Sequence, residues 1–327
     1  MISSAFHRQN VCILGGTGFV GTHLVTRLIA DGHSVKVLTR NRETHRHLLV
    51  LPDLRLANTD VHDAGQLAAQ LQGADVVINL IGIVNERGRS GTGFARAHTQ
   101  LAQKVVSACR SARVRRLLHM SALGAQAEKA PSHYLRSKGA AEEVLRRDGG
   151  RALPFVIFRP SLIFGPGDSL INRFARLLRL LPLVFPLARA QTRFAPVYVG
   201  DVVEAFARCV TSTAHDGRTL ELCGPEVFTL REIVELTAKV MGRRRRVVGL
   251  PDFVGRLQGL VMDFVPGKPF SSDNFRSLTI DGLCHENGFA QLGLEPHSMR
   301  GIVRQYLGGT SIAGRRDVQR HRASRAT

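Results

Sequence analysis

Tyr134 and Lys138 stand four residues apart in Tyr134-Leu135-Arg136-Ser137-Lys138, a spacing that puts both side chains on one face of a helix. An ammonium beside a phenol favours the phenolate and lowers the tyrosine pKa, so the pair is suited to moving a proton to or from a substrate oxygen. Ser121 lies 13 residues before Tyr134 at the end of an apolar run. Tyr134 and Lys138 are therefore candidate catalytic residues. A YxxxK spacing is common by chance, and its meaning depends on the elements around it.

The first of those elements is near the start of the chain. Val11 to Leu14 is a short apolar run, Gly15-Gly16-Thr17-Gly18-Phe19-Val20-Gly21 follows, then a helical pattern to Asp31 and a second apolar run from Ser34 to Leu38. Glycines at 15, 18 and 21 permit a tight turn, close backbone approach to a pyrophosphate and close helix-on-strand packing, while the helix N-terminus offers free N–H groups to the phosphates. Gly15, Thr17, Gly18, Phe19, Val20 and Gly21 are thus expected to hold a nicotinamide dinucleotide. A protein selecting NAD usually carries an acidic residue at the end of the second strand for the ribose 2′-hydroxyl. This chain has Thr39-Arg40-Asn41-Arg42 there. Arg40 can pair with a 2′-phosphate, which favours NADP(H) over NAD(H); the competing reading leaves Arg40 and Arg42 as solvated loop charges. Asp60, with Val61, is expected beside the adenine, and Leu80 and Gly82 at the end of the fourth strand. Ser121, Tyr134, Lys138 and Pro160 complete the cofactor-binding set.

Stepping from strand to helix repeats along the chain: Leu54 to Ala57, Ala64 to Leu71, Ala74 to Leu80, Phe94 to Ala112, Arg116 to Met120, Tyr134 to Arg147, Phe155 to Arg159 and a short run from Ala195 to Val199. Buried runs alternating with amphipathic helices predict an α/β fold, a doubly wound parallel Rossmann sheet, with a smaller C-terminal α+β lobe over the carboxyl ends of the strands. The expected division is a core of residues 10–165 joined by 190–212, a lobe of 166–189 and 213–307, and a disordered basic tail of 308–327.

With the glycine turn, YxxxK and Ser121 in this order, the chain resembles the short-chain dehydrogenase/reductase family. Arg159-Pro160-Ser161-Leu162-Ile163-Phe164-Gly165 is similar to the RPxxxxG segment of extended and atypical members, and Pro196-Val197-Tyr198-Val199-Gly200-Asp201-Val202 to their later VxDV segment. Over about residues 10 to 307 the resemblance is to the branch that includes nucleotide-binding accessory subunits of the respiratory complex I alpha subcomplex and bacterial relatives. It implies tightly held NADPH, partly structural, and association with a respiratory or quinone-linked membrane complex. The alternative it leaves open is an active NAD(P)-dependent reductase or epimerase/dehydratase working through Tyr134 and Lys138. Enzymatic extended members carry two hydroxyl residues after the fifth strand, the second orienting the substrate oxygen; here Met120-Ser121-Ala122 puts Ser121 in the first place and alanine in the second, and the resemblance adds Ser121 to the candidate catalytic residues if the register slips by one. His98 stands where many relatives have asparagine and reads as structural, and Asp168 and Asp201 read as a loop carboxylate and a helix-start cap.

Composition narrows the partners. The chain has 327 residues, 44% of them hydrophobic, with a formal charge of +19. That excess favours an anionic membrane surface or acidic partner, with Arg243 to Arg246, the apolar Phe174 to Ala188 segment and the tail as the basic surface. No tryptophan and three tyrosines leave little stacking surface, so nucleic acid is not expected. Five scattered cysteines with no CxxC pair read as reduced core residues of a cytoplasmic protein, peripheral on an inner membrane at most, and no cluster has metal-ligand spacing.

Overall fold

The structure, a computed structural model, describes residues 8–180, 183–266 and 268–307. Its centre is a seven-stranded, fully parallel sheet. β1 (Asn10–Leu14), β2 (Ser34–Thr39) and β3 (Leu54–Asn58) run to one edge; β4 (Val76–Asn79), β5 (Arg116–Met120), β6 (Phe155–Pro160) and a seventh strand, Thr219–Leu222, run to the other. The strand order reverses between β1 and β4, the switch point where ligands settle in doubly wound sheets.

Largely apolar runs make the central strands because both faces are covered. Ile13 and Ile78 pack on one side with Leu24, Val25 and Leu28 of α1 (Phe19–Ala30) and with Val202 and Phe206 of the Val199–Thr211 helix. Leu14 and Val77 pack on the other with Leu67, Leu101, Val105 and Val144. Phe158 stacks on Phe206 with ring centroids 4.0 Å apart, closing the first layer.

Three expectations are corrected. Residues 213–307 are expected in the smaller lobe, yet Thr219–Leu222 pairs with β6 in register Leu220↔Phe158, and Gly288–Gln291 returns to pack Phe289 in the same core. The Ala195–Val199 run is not one strand: Val197–Tyr198 pairs with Ile163–Phe164, and Val199 already opens a helix. Phe174 to Ala188 is split between a helix, Leu170–Leu180, and a strand, Val184–Ala188. Phe174, Leu178, Phe185 and Leu187 are buried there as the core of the smaller lobe, because their spacing changes from helical to alternating. Residues 308–327, read as a tail, lie outside the described residues. Among those described, no helix is long and apolar enough to cross a membrane.

Candidate functional site

The turn from β1 into α1 is built for close approach. Gly15 has φ +80°, a left-handed backbone that side chains disfavour, and its carbonyl accepts from the Gly18 N–H at 3.1 Å. A Cβ on Gly21 would overlap the Gly15 carbonyl oxygen and the Gly16 Cα, so the first turn of α1 lies directly on the loop. No side chain caps Gly18 and no acid sits in the first turn. Gly18 is exposed and Thr17, Phe19 and Val20 are half-buried, leaving the helix start open to an anion. The residues present fit the pyrophosphate of a dinucleotide.

The remaining predicted contacts fall around the same edge with unequal character. Arg40, just past β2, is exposed and makes no ion pair among the described residues. Arg42 differs: its side chain reaches Glu43 at 3.2 Å. Asp60 is exposed past β3 and accepts from the His62 N–H at 2.9 Å. Val61 is buried with Leu14, Leu38 and Leu67 in the core. The end of β4 abuts the loop, since a Cβ on Gly15 would sit 3.1 Å from the Leu80 carbonyl carbon and the Ile81 nitrogen. Pro160 is buried at the end of β6, where its carbonyl accepts from the Leu123 N–H at 3.2 Å.

Tyr134 and Lys138 lie on the His133–Asp148 helix, started by Ser132, whose hydroxyl accepts from the Leu135 N–H. The Asp273 carboxylate binds the same end, accepting from the N–H groups of His133 at 2.7 Å and Tyr134 at 3.1 Å. Lys138 is buried, and its ammonium donates to the Met120 carbonyl at 2.8 Å and lies against Gly82. Burial lowers its pKa from the usual lysine range to about 8, against the pull of Glu142. The expected lowering of the tyrosine pKa is not found. Burial pushes the Tyr134 phenol up to about 12, and Lys138 is not among the groups acting on it; with its ammonium on Met120, the lysine is aimed elsewhere.

His98 joins this group from a π-turn, Arg96–Gln100, a local widening of the helix. Its Nε2 accepts from the Ile83 N–H at 3.1 Å and its Nδ1 is 2.7 Å from the Ser137 hydroxyl, which itself donates to the Tyr134 carbonyl. Its ring meets Tyr134 edge-on at 5.7 Å. Burial, then the Lys138 charge, hold it neutral with a pKa of about 2.

Ser121 points away from this group. Its hydroxyl donates to Glu142 at 2.5 Å, and the same fully buried carboxylate accepts from Arg159 through Nε at 2.8 Å and Nη2 at 2.6 Å, and from Arg146 at 2.8 Å. Sequence reasoning missed Glu142. Its signal was the eight-residue step from Tyr134, which keeps it on the same helix face, together with the arginine of the RPxxxxG segment. Asp273 gave no such signal, since it approaches from 139 residues away. Asp168 caps the Leu170–Leu180 helix through the Ile171 N–H at 2.6 Å, whereas Asp201 holds His297 at 2.6 Å rather than its own helix start. Cys223 and Cys284 are joined in a disulfide with Cα atoms 6.0 Å apart, which corrects the reading of all five cysteines as reduced; Cys12, Cys109 and Cys209 are buried thiols.

Comparison with known proteins places this geometry among relatives. Residues 11–223 match the family model described as the NAD dependent epimerase/dehydratase family. The mitochondrial NADH dehydrogenase (ubiquinone) 1 alpha subcomplex subunit 9 of Arabidopsis thaliana is 31% identical over 313 residues, 90% of this chain and 76% of that protein. A ceramide reductase of Caulobacter vibrioides is 31% identical over 245 residues, 75% of this chain and 74% of that one. Among solved structures, the dTDP-glucose 4,6-dehydratase DesIV of Streptomyces venezuelae, determined with NAD bound, superposes with a TM-score of 0.73 at 21% identity over 96% of this chain and 98% of its own.

Proposed function

The chain belongs to the NAD dependent epimerase/dehydratase family, and on that premise we propose that it holds NADP(H) across the β1–α1 turn as a partly structural ligand, in support of a respiratory or quinone-linked complex. The observation that carries the structural role is the engagement of Ser121 with Glu142. With Ala122 beside it, neither position that normally holds a substrate oxygen offers a free hydroxyl. The similarity to a complex I subunit supports the setting, and Arg40, exposed and without an ion pair among the described residues, supports the 2′-phosphate. A ligand that binds only the folded form stabilises it by RT ln(1 + [L]/Kd), about 2.7 kcal/mol at a hundredfold over Kd. The cytoplasmic face of an inner membrane is the compartment this reading implies.

A second reading, an active reductase or epimerase/dehydratase, is favoured by Lys138 and His98 meeting at Gly82 with the Tyr134 ring edge-on to His98, and by the similarity to a ceramide reductase. The bound dinucleotide would supply hydride to a carbonyl carbon, and the Tyr134 phenol the proton to its oxygen. Complementation separates the two. A strain carrying Tyr134→Phe should behave as wild type if the ligand is structural, while Gly18→Asp, which puts an anion at the helix start, should behave as a deletion. A Tyr134→Phe strain indistinguishable from the deletion, with the protein folded and still holding dinucleotide, would overturn the structural reading.

A further inference from the structure

The Asp252–Met262 helix is packed inside out. Gly255 faces inward, where a Cβ would meet the Phe275 ring and Ala188, and Gly259 lies against the backbone of Ser271 and Ser272. The large apolar residues face water instead: Phe253 is 73% exposed, and Leu257, Leu260 and Val261 are exposed beside it. At 3.6 residues per turn, Phe253, Leu257 and Leu260 fall within about 60° of one another, and Phe264, 77% exposed, continues the stripe past the helix end. Apolar side chains gathered on one solvent face mark a surface that meets an apolar partner.

The charge around this stripe indicates which partner. Between Arg243 and Lys268 the chain carries Arg243, Arg244, Arg245, Arg246, Arg256 and Lys268 against two acids, Asp252 and Asp263. Both acids are already paired, Asp252 with Arg189 at 2.9 Å and Asp263 with Arg89 at 3.2 Å. Arg256 is exposed on the flank of the stripe, and Arg243 and Arg244 are exposed at the turn leading into the strand before the helix. A second copy of the chain would bring the same cations to the contact, which like-charge repulsion opposes. We infer that the Phe253–Phe264 stripe docks this protein on an anionic phospholipid bilayer, the phenylalanines entering the interface and the arginines meeting the phosphates. The stripe is tied to the candidate site: Arg89 lies over the Phe264 ring at 5.6 Å, Lys268 donates to the Gly88 carbonyl at 2.8 Å, and Asn274 donates to the Val84 carbonyl at 3.1 Å, two residues from Gly82.

The test uses the full chain without dinucleotide or substrate, so it can fail while dinucleotide binding stands. At low salt the protein should sediment with vesicles of phosphatidylglycerol and phosphatidylcholine and stay in solution with phosphatidylcholine alone. Phe253→Ser with Phe264→Ser should weaken partition about tenfold or more. The chain has no tryptophan, so Leu257→Trp gives a single reporter that does not depend on the double variant folding. Its emission should shift to the blue with the anionic vesicles and be quenched by brominated acyl chains. Equal indifference of the wild type to both vesicles, a reporter that brominated lipid leaves bright, or a vesicle-free dimer dissolved by the double variant would each overturn the inference.

Discussion

Ser121 donates its hydroxyl to Glu142 at 2.5 Å, so the serine nearest the candidate catalytic position is part of a buried charge network rather than an open substrate contact. A hydrogen bond to a charged group is worth about 1.5–3 kcal/mol. Ser121→Ala should lower the unfolding free energy by that amount in urea titration and leave dinucleotide affinity unchanged. Unchanged stability with a lost reductase rate would instead assign Ser121 to substrate.

Glu142 is fully buried and accepts four hydrogen bonds, from Ser121, Arg146 and twice from Arg159. Removing one partner of a buried charge network leaves the others uncompensated, at a cost of about 3–5 kcal/mol. Glu142→Ala should therefore be among the most destabilising single changes in the chain, read as a drop in Tm of the purified protein. A loss within the scatter of surface substitutions would show that the network contributes no net stability.

Acid should unfold this protein through His98 and His119. Burial, aided by the Lys138 charge, lowers their pKa values to about 2 and about 3 from an ordinary 6.5. Between those limits the unfolded chain binds more protons than the folded one, so stability is lost as pH falls below about 6.5. Each histidine contributes a slope of up to about 1.4 kcal/mol per pH unit. His98→Asn removes one titrating group, and urea titrations between pH 6.5 and 4 should show a correspondingly shallower acid limb. An unchanged slope would mean that His98 is not held neutral.

Cys223 and Cys284 close a separation of 61 residues. Loop-entropy arguments give such a crosslink about 4 kcal/mol, acting on the unfolded chain. Cys223→Ser should lower stability by up to that amount, and reduced wild type should match it. Two alkylatable thiols at 223 and 284 in the native, non-reduced protein would contradict the bond.

The parallel core was legible because β1 to β6 are mostly apolar runs between amphipathic helices, and the glycine turn fixed where the first helix starts. Thr219–Leu222 was not, since four residues with Glu221 among them carry no strand pattern of their own until β6 supplies the pairing edge. The Asp252–Met262 helix escaped for the opposite reason: its buried face is glycine and its apolar face is outside, the reverse of the pattern that marks a core helix. Tyr134 and Lys138 were found from spacing, but spacing says nothing of rotamer, and the lysine ends on Met120. Long-range pairs such as Cys223 with Cys284, or Asp273 with the Tyr134 helix, leave no local trace.

The most direct test is a competitive titration of NADPH against NADH on wild type and Arg40→Asp, followed by fluorescence of the reduced nicotinamide. Wild type should bind NADPH more tightly. Arg40→Asp removes a charge-assisted contact and adds repulsion, so NADPH affinity should fall by about 2 kcal/mol or more while NADH affinity holds or improves. Gly21→Ala, whose Cβ would overlap the Gly15 carbonyl, should weaken both. A wild type that prefers NADH, or an Arg40→Asp variant that leaves the preference unmoved, would contradict the assignment of Arg40 to a 2′-phosphate.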